Sequence, residues 1–117
     1  MSNDAKSSQF LLLLRHPPGR LPDAELAPIM AKFALWMKGI GERGELAGTN
    51  GLGLAGKVLR GPGGAEITDG PYPEAKEIVG GYILINAPDL AAATAIARGC
   101  PGLGLGMVVE VRPIEHH

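Results

Sequence analysis

Apolar and polar positions change period several times along the chain. From Gln9 to Leu14, Phe10, Leu12 and Leu14 fall on one face of an extended segment and Leu11 and Leu13 on the other, because side chains alternate along a strand. Both faces are apolar, which predicts a strand in a sheet covered on both sides. From Leu26 the period lengthens: Ile29, Met30, Phe33, Met37 and Ile40 make one helical stripe with Trp36 beside it. Asp23 and Glu25 place negative charge near the start of that helix, where it is favourable. Pro28 either belongs to the first turn or kinks the helix, and Gly39, Gly41 and Gly44 mark its end.

Between Glu45 and Gly64 glycine is dense and only Lys57 to Arg60 reads as a strand, expected to pair with Ala65 to Thr68 across Gly61, Pro62, Gly63 and Gly64. A proline-rich corner follows Asp69. The clearest strand, Val79 to Asn86, again has apolar residues on both faces, Tyr82 and Leu84 opposing Ile83 and Ile85. Asp89 is a good N-cap for a short helix over Ala91 to Ala97, which Gly99 and Pro101 stop, and Met107 to Ile114 closes the domain as a strand. This order predicts an α+β, ferredoxin-like antiparallel sheet with two helices on one face. Two helices cover one face only. The doubly apolar strands therefore predict a second cover, most simply another copy of the chain in a homodimer.

Composition narrows the function classes. A chain of 117 residues suits one domain, read as residues 9–114, with 1–8 a loose polar tail and 115–117 native or the start of an expression tag. Eleven Lys and Arg against 12 Asp and Glu give a net charge of −1, which argues against a nucleic-acid partner. The longest apolar run, Phe10 to Leu14, is too short to span a membrane, and the opening residues lack a basic leader pattern. One cysteine, Cys100, leaves no intramolecular disulfide or cysteine-ligated metal site, as expected of a protein in the reducing cytoplasm; no metal or cofactor is expected. Cys100 itself has no adjacent base and reads as an inert small residue.

Gly51, Gly53, Gly56 and Lys57 superficially match phosphate-binding loops. A strand rather than a helix follows, and Val58 stands where a hydroxyl is required, so the match is a coincidence of glycine content. The stretch from Thr68 to Glu77 is more specific. Asp69 can satisfy backbone amides in a tight corner, Gly70 allows unusual dihedrals, and Pro71 and Pro73 fix the path on either side of Tyr72.

Asp69-Gly70-Pro71-Tyr72, then Glu74, Lys76 and Glu77, Gly80-Gly81-Tyr82 with Ile83 to Ile85, Ala87-Pro88-Asp89-Leu90 and Val109 to Ile114 together resemble the YCII-related proteins, in the branch named for an Asp-Gly-Pro-Phe motif; Tyr72 replaces the Phe. The resemblance implies a bacterial ferredoxin-like domain that dimerises through its sheets, a dimeric α/β barrel, with a pocket between sheet and loops. Members mostly lack an assigned activity, and in the YCII branch a His and Asp pair is proposed to be catalytic. The corresponding candidates here are His16 and Asp69, although His16 lies outside the motif that carries the histidine in that branch. A histidine moves protons near neutral pH and a carboxylate fixes its tautomer, the minimum for acid/base chemistry.

Tyr72 and Arg112 are the candidate ligand-binding residues. Arg112 either pairs with Glu110, two residues away on the same face, or offers its fork to a carboxylate of Asp69 or of a ligand. A pocket is expected where the Asp69 to Tyr72 corner meets the end of the first strand and the last strand. Two classes follow: a small metal-independent enzyme acting on a small organic molecule, or a noncatalytic binding or regulatory module.

Overall fold

The structure, a computed structural model, describes residues 8–19, 22–71 and 76–115. Its elements are β1 (Ser8–His16), α1 (Asp23–Glu42), β2 (Leu46–Gly51), β3 (Gly56–Arg60), β4 (Glu66–Gly70), β5 (Ile78–Ala87), α2 (Leu90–Ala97) and β6 (Val108–Pro113), with short 3₁₀ turns at Pro62–Gly64 and Pro101–Leu105. Strands β2, β5, β1 and β6 lie side by side in that order, each antiparallel to its neighbour. This is the ferredoxin-like arrangement, the first and third core strands central and the last beside the first. Strands β3 and β4 form a separate two-stranded sheet, inserted between the second and third core strands.

The leucine run is strand rather than helix because its alternate residues serve different faces. Phe10 and Leu12 are buried with Ile83, Ile85 and Ala87 of β5 against Ile40 of α1 and Ala93 and Ala97 of α2. Burying each of the larger side chains stabilises the fold by roughly 1.5 to 3 kcal/mol. The Trp36 indole N–H donates to the Ile96 carbonyl at 3.2 Å, joining the two helices over that core. Asp89 caps α2 as expected, its carboxylate accepting from the Ala92 N–H at 2.8 Å.

Two details of α1 differ from the sequence reading. The helix starts at Asp23, so Pro28 falls inside it rather than in its first turn, and Gly39 and Gly41 are helical; the left-handed residue that ends it is Gly44, at φ +72°. The apolar stripe also reaches the core only at its C-terminal end, through Trp36, Met37 and Ile40, while Met30 is exposed.

The molecule measures 46 × 43 × 18 Å. Its thin dimension is that of one sheet with one layer of helices, so the opposite sheet face has no cover among the described residues. The β3–β4 hairpin projects as an arm, paired in register from Lys57 opposite Asp69 to Arg60 opposite Glu66. Leu59 and Ile67 face each other on it and stay exposed.

Candidate functional site on the open sheet face

Register determines what the uncovered face presents. Directly opposed residues of antiparallel strands share a face. Asn50, Tyr82, Leu13 and Glu110 therefore form one row across the sheet from β2 to β6, and Gly48, Leu84, Leu11 and Arg112 form the next. The centre of the face is an apolar stripe of half-buried Leu11, Leu13, Tyr82 and Leu84. On one side Asn50 donates to the Tyr82 hydroxyl at 2.9 Å. On the other, Glu110 sits between two guanidinium groups: its Oε1 accepts from Arg15 Nη2 at 2.7 Å and Nε at 3.3 Å, and its Oε2 lies 3.9 Å from Arg112 Nε.

The expected Glu110–Arg112 pair is thus the looser of the two contacts. Arg15, which the sequence reading left aside, is the principal partner of Glu110. Alternation puts Arg15 on the face of Leu11 and Leu13, but its partner depends on the register with β6, which no local pattern specifies.

His16 ends β1, opposite Ile78, just beyond an irregularity in pairing that leaves Gly80 as an extra residue in β5. Its ring lies over Gly80, where an added Cβ would stand 2.7 Å from Cδ2 and 2.9 Å from Nε2. Nδ1 is 2.7 Å from the Pro17 carbonyl oxygen. A carbonyl only accepts, so Nδ1 carries the hydrogen and, in the neutral ring, Nε2 keeps its lone pair. The backbone therefore fixes the tautomer, the task the sequence reading gave to Asp69.

Asp69 occupies a different place from the one expected. It lies within β4 rather than in a buried corner, and its carboxylate, 86% exposed, accepts from Lys57 Nζ at 2.6 Å. A shallow open depression beside it is lined by Ala55, Gly56, Lys57, Asp69 and Gly70, and the Gly70–Pro71 peptide bond is cis. Arg112 stands opposite Leu11 near the start of β1, while His16 is five residues further along, roughly 16 Å at strand spacing. Within one chain, then, His16 and Arg112 stand at different points along β1, and the carboxylate of Asp69 pairs with Lys57 on the hairpin. Tyr72 lies outside the described residues.

Among the described residues there is no group of three or more His, Cys, Asp or Glu side chains placed to hold a metal, and no helix long and apolar enough to cross a membrane. Cys100 is buried, and burial pushes its thiol pKa above the ordinary value, opposed weakly by backbone hydrogen bonds from Gly102 and Leu103. A thiol held neutral in this way is a poor nucleophile, in keeping with the sequence reading.

The family model of the YCII-related domain matches residues 8–116, nearly the whole chain and every element of the fold described above. The chain belongs to the YCII-related family. Comparison with curated proteins returns no match. In this YCII-related chain the conspicuous glycine pair of β5 has distinct tasks: Gly80 makes room for the His16 ring, and Gly81 is buried against the backbone of β2.

Proposed function

We propose that this YCII-related domain, of the Asp-Gly-Pro-Phe branch, acts as a homodimer that binds a small organic molecule on the open sheet face, in the bacterial cytoplasm. The observation that carries this reading is the stripe of Leu11, Leu13, Tyr82 and Leu84, which no element among the described residues covers. An apolar sheet centre with a few polar groups at its margin, here Asn50, Glu110 and the two arginines, has the makeup of a small-molecule site once a second surface closes over it. The projecting arm supports a second copy as that surface. An isolated two-stranded hairpin is marginal in water, and Leu59 and Ile67 are both about 60% exposed on this one.

Light scattering tests the reading. The expected mass at micromolar concentration is twice 12.1 kDa, and Leu13→Asp, which puts a carboxylate at the middle of the stripe, should return the protein to the mass of one chain. A wild-type monomer at high micromolar concentration refutes it.

A second reading, a small metal-independent enzyme, is favoured by the tautomer of His16, which leaves Nε2 available as a proton acceptor. The pairing with Asp69 then crosses between copies, the arm of one supplying the carboxylate. Mixing His16→Cys and Asp69→Cys chains should give a disulfide-linked dimer under mild oxidation. Failure to cross-link under conditions where the dimer persists removes the pair and the enzyme reading with it.

A further inference from the structure

We propose that Arg112, with Arg15 behind it, anchors the carboxylate of a small organic acid whose apolar body lies along the row of Leu11, Leu84 and Gly48. This deepens the binding reading above and rests on it. Two guanidinium groups share one carboxylate on this face, and that carboxylate is largely taken by Arg15, at 2.7 and 3.3 Å. The Arg112 guanidinium stands 3.9 Å from the remaining oxygen, beyond hydrogen-bond distance; its side chain is 67% exposed and makes no hydrogen bond among the described residues. The cluster carries a net positive charge at the margin of an apolar surface.

Covering that surface with a second copy removes water from around the guanidinium, and an uncompensated charge in such a place is costly. A compensating anion is required. The arm's carboxylate does not serve in the single chain, since Asp69 is already neutralised by Lys57 at 2.6 Å. A ligand carboxylate meets the need, because the planar guanidinium fork accommodates two carboxylate oxygens side by side.

Register indicates where the rest of such a ligand lies. Arg112, Leu11, Leu84 and Gly48 are consecutive across the sheet, three strand spacings or about 14 Å from end to end. Leu11 and Leu84 give an apolar floor. At Gly48 an added Cβ would meet nothing within 4 Å, so the far end of the row is open and a side chain there would occupy it. Room for an aromatic ring or a short aliphatic chain, with the acid group at the β6 end, is the shape this row offers.

Nuclear magnetic resonance titration of the full chain with benzoate, and with benzamide as its uncharged match, tests the inference. Benzoate should shift the methyl signals of Leu11 and Leu84 and bind about tenfold or more tightly than benzamide, the scale of one charge-assisted interaction. Arg112→Gln should remove that difference. Glu110→Gln should tighten benzoate severalfold by releasing Arg15, and Gly48→Val should weaken both probes; a merely structural cluster would not move in opposite directions at Arg112 and Glu110. Equal affinities for the two probes in a protein that is dimeric by light scattering overturn the anchor and leave the covered face standing. Loss of the dimer in Arg112→Gln without any benzoate binding by the wild type also overturns it, because a partner carboxylate then holds the guanidinium. A monomer that binds benzoate through Arg112 retains the anchor and refutes the covered face.

Discussion

Replacing Gly80 by Ala probes the placement of the His16 ring. The added methyl would stand 2.7 Å from His16 Cδ2 and 2.9 Å from Nε2, well inside contact distance, so the ring must rotate away. Rotation breaks the Nδ1–H hydrogen bond to the Pro17 carbonyl, now 2.7 Å long. Losing that bond costs about 0.5 to 1.5 kcal/mol. The substitution also gives back the roughly 0.5 to 1 kcal/mol by which Ala is preferred to Gly within a strand, and the backbone at Gly80 is not in the left-handed region. Gly80→Ala alone should therefore change stability by about 1 kcal/mol or less. In a His16→Ala background the steric cost is gone and the same substitution should stabilise. The coupling between the two sites is the informative quantity, about 1 kcal/mol, read from a double-mutant cycle by urea denaturation. Nitrogen chemical shifts of the imidazole give a second measurement, since the Nδ1–H tautomer of the wild type should be lost in Gly80→Ala. Additive stabilities with an unchanged tautomer would refute the placement of the ring over Gly80.

Other substitutions test other levels of the structure. Asp89→Ala removes the carboxylate that caps α2 and should lower stability by about 1 kcal/mol in denaturant titration. Asp69→Asn breaks only an exposed ion pair with Lys57 and should cost under about 1 kcal/mol, where a carboxylate satisfying buried amides would cost more. Leu12→Ala, at a position with no exposure, should cost about 2 to 5 kcal/mol in the same assay. Cys100 makes the protein less stable in alkali. Its pKa is raised in the folded state, so the native protein holds a proton that the unfolded chain releases above the ordinary thiol value. This contribution is fully present below that value and is lost as the pH climbs from it towards the folded pKa. Denaturant midpoints of wild type and Cys100→Ala, compared at neutral and alkaline pH, should diverge in that direction, and thiol reagents should label Cys100 only as fast as the native state opens.

How far the sequence alone specifies this protein depends on the range of the interaction concerned. Period and capping are local, so the leucine run of β1, the strand β5, the capped helix α2 and the Lys57 to Arg60 hairpin are legible from neighbouring residues. The apolar residues on both faces of β1 and β5 likewise mark a sheet face that the two helices leave open. Partners across strands are not local. Whether Arg15 or Arg112 holds Glu110, and how far Arg112 stands from His16, follows from the pairing of β1 with β6, which tertiary packing sets. Asp69 makes the same point: residues that suit a rigid corner became the end of a strand because Lys57 to Arg60 pairs with them. For His16, it is the tertiary structure that decides its tautomer, since the ring meets the Pro17 carbonyl only after the bulge at Gly80 gives it room beside β5.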